Sequence, residues 1–191
     1  MIIFMTGGVR SGKSSFALEI AEKQVFEHGV IHYIATSRRT DAEMEARIQR
    51  HIEERQMSGK VYVTHEKNTH IEELTVHFQK NDVVVLDCLT GLVTEEFFSG
   101  IELGVERWKD LSFRKQLLNR LFRTFEALQR IPIPVIVVTN ELFEDIIPSD
   151  ESTIAYMKLI GKLHQKIVAL CDQAYLVEAG LPLLKKEVGF R

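Results

Sequence analysis

The chain has 191 residues, 45% of them hydrophobic and 27% charged, which is the balance of a soluble globular protein of about one ordinary domain spanning residues 1–191. That composition excludes a disordered tail, a collagen-like repeat and a small disulfide scaffold. Lys and Arg total 24 against 27 Asp and Glu, a net charge of -3, so no global basic field draws the chain to nucleic acid or an anionic membrane, and any bound anion must be held by local geometry.

In chain order, the apolar run Ile2–Thr6 ends at Gly7-Gly8 and reads as a strand buried on both faces. Ser14 to Phe26 has helical spacing in Phe16, Ala17, Ile20 and Ala21. Val30–Thr36 is a second strand. Asp41–Gln56 is rich in helix formers, with Thr40 or Asp41 as a plausible N-cap. Val61–Thr64 reads as a short strand and Thr69–Gln79 as a helix. Val83–Asp87 is a buried strand ending in an acid. Trp108–Arg130 contains a long amphipathic helix with its stripe at Leu111, Leu117, Leu118, Leu121, Phe122, Phe125 and Leu128. Pro134–Thr139 is another buried strand, Ser149 or Asp150 caps a helix running to about Cys171, and Ala174–Ala179 is the last clear strand.

Strands alternating with helices predict an α/β fold, a mostly parallel sheet with helices on both faces. Ligands of such sheets bind at the carboxyl ends of the strands, which directs attention to Gly7, Ser37, Asp87 and Asn140. The apolar runs are too short to span a bilayer. No positive residue precedes the apolar start, unlike a secretory signal. Cys88 and Cys171 sit in apolar runs, as buried free thiols of a reducing compartment do. A cytoplasmic protein is expected.

Gly7-Gly8-Val9-Arg10-Ser11-Gly12-Lys13-Ser14 satisfies the phosphate-loop pattern G-x-x-x-x-G-K-[ST] in full, between a strand and a helix as that pattern requires. The glycines let successive N–H groups turn toward phosphate oxygens, and the helix N-terminus adds partial positive charge. Lys13 reaches the β- and γ-phosphates, and the Ser14 hydroxyl is a ligand for Mg²⁺. Asp87 is the natural second acid for that metal. It is also placed to cap the following helix, a role for which Thr90 competes. These residues specify a nucleoside triphosphate with Mg²⁺, and neither a base nor an acceptor.

His51 goes beyond a generic nucleotide-binding protein. Arg47 and Arg55 lie four residues before and after it on one helix face, shared with Met44 and Ile48. A neutral imidazole between two guanidiniums is a competent nucleophile facing a phosphate-filled cleft. The same spacing also fits a half-buried histidine among ordinary pairs such as Glu43 with Arg47. His65 and His70 resemble a zinc H-E-x-x-H but are one residue too far apart, about 140° around a helix, so no zinc site is expected. His28, His32, His77 and His164 have no partner pattern, and Trp108, Phe97 and Phe98 read as core or subunit contact.

Over nearly its whole length the sequence resembles the bifunctional adenosylcobinamide kinase / adenosylcobinamide-phosphate guanylyltransferase family of cobalamin biosynthesis. The resemblance rests on the phosphate loop and on Tyr33-Ile34-Ala35-Thr36-Ser37 with the Asp41–His51 helix carrying Arg47-Ile48-Gln49-Arg50-His51. Further matches are Val85–Thr90, Val138-Thr139-Asn140-Glu141 and Ala179-Gly180-Leu181-Pro182-Leu183. It implies a P-loop domain like the recombinase core, and members that assemble as a trimer. Two reactions are implied: a phosphoryl group passes from GTP (or ATP) to the corrinoid's hydroxyl, and GMP then passes from GTP to the phosphorylated corrinoid through a guanylylated histidine. His51 falls on that histidine. The family's nucleotide contacts fall on Gly7, Gly8, Val9, Arg10, Ser11, Gly12, Lys13, Ser14, Ala35, Thr36, Ser37, Ile52, Glu53, Glu54, Arg55, Glu66 and Asp87.

The chain departs from the family pattern in one stretch. Asn-Glu-x-Gly-x-Gly is replaced by Asn140-Glu141-Leu142-Phe143-Glu144-Asp145, without either glycine, and the helix after Pro148 has little of the usual basic character. Asp87 stands where glutamate is common, and Gln56 where proline often follows Arg55. The departures bear on corrinoid recognition and subunit contact. Two other readings are a P-loop small-molecule kinase without guanylyltransferase activity and a non-catalytic nucleotide-binding regulator.

Overall fold

The computed structural model describes residues 1–36, 46, 49, 52–53, 55–143 and 148–188. Among the described residues seven strands form one sheet: β1 (Ile2–Thr6), β2 (Ile31–Ala35), β3 (Tyr62–Glu66), β4 (Val83–Asp87), β5 (Val135–Val138), β6 (Gln173–Glu178) and β7 (Leu181–Glu187). Their spatial order is β3-β2-β4-β5-β1-β6-β7. All neighbours pair in parallel except β6 with β7, which form an antiparallel hairpin at one edge.

The strands are apolar on both sides because each covers two cores. Ile2, Phe4, Val84, Leu86, Val135 and Val137 face one core; Ile3, Met5, Val83, Val85, Ile136 and Val138 face the other. Side chains alternate across a strand, so consecutive residues supply opposite faces. Helix α1 (Lys13–Gln24) packs Ala17, Leu18 and Ala21 on the second core. Helices α2 (Leu89–Phe97), α3 (Leu111–Arg130) and α4 (Glu151–Leu170) cover the first. Phe97 and Trp108 are buried in that core with Phe98 packed on it, as expected from the sequence.

Several expectations are corrected. Thr69–Gln79 is not an α-helix but a 3-10 helix over Ile71–His77, burying only Ile71 and Leu74, whose three-residue spacing suits the tighter turn. The helix expected within Trp108–Arg130 is there as Leu111–Arg130, starting where the Asp110 carboxylate accepts from the Ser112 N–H at 2.7 Å; Trp108 lies in a preceding 3-10 turn. The cap of α4 is Asp150, accepting from Thr153 N at 2.7 Å. Strand β7 has no counterpart among the sequence expectations, and α2 has one only in the capping role weighed for Asp87 and Thr90. The Asp41–Gln56 helix falls mostly outside the described residues; Ala46, Gln49, Ile52, Glu53 and residues 55–57 are helical. No described helix is long and apolar enough to cross a membrane.

Candidate functional site

Between β1 and α1 the chain turns through a loop that glycine makes possible. A Cβ on Gly7 would sit 2.2 Å from the Val177 carbonyl oxygen, so only glycine fits against β6. Arg10 and Gly12 adopt positive φ of 61° and 91°. Gly12 precedes α1 without any side-chain cap, which leaves the first helical N–H groups for a ligand. The Ser11 hydroxyl is buried with no hydrogen-bond partner. Lys13 is only 4% exposed, and its ammonium donates to the Gly8 carbonyl at 2.7 Å, so the cation is held inside the loop it closes. Ser14 is buried beside it, while Gly8 and Val9 face solvent. An orphaned hydroxyl, uncapped amides and an enclosed ammonium fit a polyphosphate.

The last hairpin supports this loop. Ala179 and Gly180, at positive φ of 48° and 80°, make its turn, and Gly180 N donates to Ser11 O at 2.9 Å.

At the ends of β2 and β4 two predicted contacts meet. Tyr33 donates its hydroxyl to Asp87 Oδ2 at 2.7 Å, and burial, followed by the Asp87 charge, holds the phenol well above its ordinary pKa, so it remains a donor. The Thr36 hydroxyl donates to the Cys88 carbonyl at 2.6 Å and accepts from Cys88 N at 2.9 Å. Its side chain therefore fixes the backbone after Asp87, and Ala35 next to it is half-buried. Neither Asp87 nor Thr90 caps α2. Cys88 does, its sulfur accepting from Gly91 N at 3.4 Å, while Thr90 Oγ1 accepts from Asn140 N at 2.8 Å. Burial and then Asp87 push the Cys88 thiol up, and the Lys13 charge works in the opposite sense, which places the loop's cation within reach of this corner. Cys88 and Cys171 are both free thiols.

A second cavity of about 600 Å³ is lined by Ile52, Arg55, Gln56, Lys60, Tyr62 and Glu66, together with Thr64. It brings together three of the predicted contacts, Ile52, Arg55 and Glu66. Glu53 is exposed and does not line it. Ser37, His51 and Glu54 lie outside the described residues. Arg55 is 6% exposed, stacks its guanidinium 4.2 Å from the centre of the Tyr33 ring, and has a buried Nη1 with no hydrogen-bond partner. Burying such a nitrogen unpaired costs about 1–3 kcal/mol, which an incoming anion would recover. Tyr62 donates to Glu22 at 2.7 Å, and burial pushes its phenol up as well.

Sequence reasoning missed Tyr33 as a site residue, along with Tyr62, Lys60 and Thr64. The signal for Tyr33 was its place opening the Tyr-Ile-Ala-Thr-Ser segment; for the β3 residues alternation on an edge strand was the only hint. His65 and His70 share no helix, since His65 lies in β3 and His70 precedes the 3-10 helix.

A family model described as cobinamide kinase / cobinamide phosphate guanyltransferase matches residues 3–184. The bifunctional adenosylcobalamin biosynthesis protein CobU of Salmonella typhimurium is 33% identical over 183 residues, covering 95% of this chain and 97% of its own. Its Escherichia coli K12 namesake is 34% identical over 185 residues with the same coverage. The bifunctional protein CobP of Pseudomonas aeruginosa is 29% identical over 178 residues, covering 93% of this chain and 92% of its own. Among solved structures, a prototypical ATPase from the type III secretion system of pathogenic bacteria superposes with a TM-score of 0.58 at 12% identity, over 96% of this chain and 56% of that one. The assembled ATPase EscN of enteropathogenic E. coli gives 0.52 at 14% identity, over 93% and 43%. These two likenesses show the fold, an α/β sheet covered by helices on both faces. With a match over residues 3–184 and relatives above 30% identity over 97% of their length, the chain belongs to the cobinamide kinase / cobinamide phosphate guanyltransferase family of transferases.

Proposed function

We propose that this chain, as a single P-loop domain, runs both reactions that its relatives' names describe, phosphorylating adenosylcobinamide and then transferring GMP to the phosphorylated corrinoid. The observation that carries this reading is a pair of buried cations in separate places, Lys13 held inside the phosphate loop and Arg55 over Tyr33, whose hydroxyl binds Asp87.

In the first step the corrinoid hydroxyl oxygen bonds to the γ-phosphorus of GTP, or of ATP, and its proton passes to water, as the bond to the β,γ-bridging oxygen breaks and the nucleoside diphosphate leaves with that electron pair. Loop N–H groups and Lys13 hold the transferring oxygens in place, so the protein acts by positioning and charge. In the second, an imidazole nitrogen of His51 bonds to the α-phosphorus of GTP and pyrophosphate departs. The phosphate oxygen of the acceptor then displaces the histidine, giving the diphosphate product and restoring the imidazole. Arg55 stabilises negative charge on the α-phosphate oxygens, and Glu66 in the same cavity offers an acceptor for N–H groups of the base. Ser14 and Asp87 supply oxygen ligands of the kind Mg²⁺ takes, and the ion when bound neutralises phosphate charge.

Assembly as a homotrimer belongs to the same reading. Leu181, Leu183 and Leu184 stand exposed on edge strand β7, an apolar edge that supports self-association.

The test is incubation of pure protein with Mg²⁺ and GTP radiolabelled on either the α- or the γ-phosphate, beside His51→Ala and Lys13→Ala. Protein-bound, acid-labile label from the α-position alone, absent in His51→Ala, is the expected result. No covalent label with phosphoryl transfer to cobinamide intact would reduce the chain to a plain kinase. Loss of both would leave a nucleotide-binding regulator.

A further inference from the structure

A larger cavity of about 800 Å³ lies apart from the nucleotide site, lined among others by His70, Glu96, Arg107, Asn119, Arg120 and Arg123. Its volume falls within the range of small-molecule sites. The sequence explains how it is built. α2 brings Glu96 to one wall, α3 presents Asn119, Arg120 and Arg123 along another, and Arg107 comes from the turn before α3.

Charge is the distinguishing property. Three guanidiniums meet a single carboxylate, on a chain whose net charge is -3. The Glu96 side chain is 5% exposed and is ion-paired with Arg120. Yet Glu96 Oε1 and Arg120 Nη1 are both buried with no hydrogen-bond partner. The Arg120 side chain is 37% exposed, but a buried carboxylate with one oxygen left unpaired costs stability rather than adding it, so stability gives no reason to keep it there. Among the described residues neither Arg107 nor Arg123 is ion-paired. The planar guanidinium fork matches phosphate oxygens, and the spare carboxylate oxygen matches an N–H donor.

Position connects this cavity with the one around Arg55. Glu66 lines the nucleotide-side cavity and Thr69 lines this one. At 3.8 Å per residue their Cα atoms are within about 11 Å of each other. α3 ends at Arg130, shortly before β5 begins, and β5 runs parallel to β1. The half of α3 that lines the cavity therefore lies toward the strand ends where the phosphate loop sits.

We infer that this arginine-walled cavity is a second anion site, taking a phosphomonoester that also carries amide groups: phosphate on Arg107, Arg120 and Arg123, amide N–H on Glu96. That its occupant is the phosphorylated corrinoid rests on the function proposed above; the anion site does not.

The test uses the exposed arginines, so that folding is spared. Wild type and the Arg107→Gln/Arg123→Gln double variant are titrated with adenosylcobinamide phosphate, with unphosphorylated adenosylcobinamide and with inorganic pyrophosphate, and GTP affinity and oligomeric mass are measured alongside. The expected result is a loss of about 10- to 100-fold in affinity for the phosphorylated corrinoid, with GTP affinity and mass unchanged. Pyrophosphate binding that is lost in the variant, with no corrinoid bound by wild type, would uphold the anion site and remove the corrinoid as its occupant. Unchanged affinity for every phosphate-bearing probe would overturn the inference. So would a parallel fall in GTP affinity, or a change of mass with ligand binding intact.

Discussion

The Arg55 guanidinium lies over Tyr33, its central carbon 4.2 Å from the ring centre. Such a contact contributes about 0.5–2 kcal/mol, more as water is excluded. Planarity matters as much as charge. Arg55→Lys keeps the cation and loses both the stack and the forked donor, so GTP affinity is expected to fall roughly tenfold or more. Equilibrium titration checks this, and an affinity equal to wild type would show that charge alone suffices.

Tyr33 has a second duty, toward Asp87. Tyr33→Phe keeps the platform under Arg55 and removes the 2.7 Å hydrogen bond. A loss of about 1–2 kcal/mol in urea unfolding is expected, with GTP still bound. Tyr33→Leu should add a loss of GTP affinity. Equal GTP binding by the two variants would separate Arg55's role from the ring.

Phe143 occupies the place of the family's first glycine in Asn-Glu-x-Gly, and the fold accommodates it. Its ring meets His164 edge-on, with centroids 6.0 Å apart, and a Cβ added at Gly161 would lie 3.1 Å from Phe143 Cζ. Gly161 lies within α4, where alanine is normally better by about 1 kcal/mol. Gly161→Ala should gain little or nothing alone and recover that gain in a Phe143→Ala background. A thermal-unfolding double-mutant cycle reads the difference; additive effects would sink the idea.

His164 is held neutral, burial having lowered its pKa from 6.5 to about 4. Its Nε2 lies 2.9 Å from Thr139 Oγ1, which is 3.1 Å from Thr90 Oγ1. A base with a depressed folded pKa takes up fewer protons folded than unfolded. Its stability is complete above pH 6.5 and is lost as pH falls toward 4, a total of about 3 kcal/mol. His65 is lowered too, by burial first and then by His32 and His77, so it contributes in the same direction. Replacing His164 with Gln should flatten the acid limb of the stability curve between pH 6.5 and 4 and leave the part due to His65. An unchanged limb would mean that His164 is solvated.

The phosphate loop was legible because its chemistry demands fixed residue types at fixed spacing, and the parallel sheet because strands buried twice must be apolar throughout. Edge strands gave weaker signals. β7 escaped notice because its residues are mostly exposed and it contains Pro182, so no alternating pattern marks it. α2 was hidden by its start: Asp87 and Thr90 look like caps, whereas a thiol fills that place. Composition does not distinguish three residues per turn from 3.6, so the sequence predicts α where Ile71–His77 forms a 3-10 helix. Arg55 was found by its spacing from His51, but its stack on Tyr33 joins residues distant in sequence, and only the fold brings them into contact. The cavity around Arg120 gave no sequence signal, since its arginines on α3 read as an ordinary solvated face.

The hydrogen bond from Gly180 to Ser11 makes the far end of the chain a sensor of the near end. Any event that stiffens the loop around a polyphosphate must also protect the hairpin's turn, though no atom of β7 need touch the ligand. Deuterium uptake at the Gly180 amide is thus an internal gauge of loop occupancy. By the same token, clipping the final strand should loosen the phosphate loop while Lys13 and Arg55 stay in place.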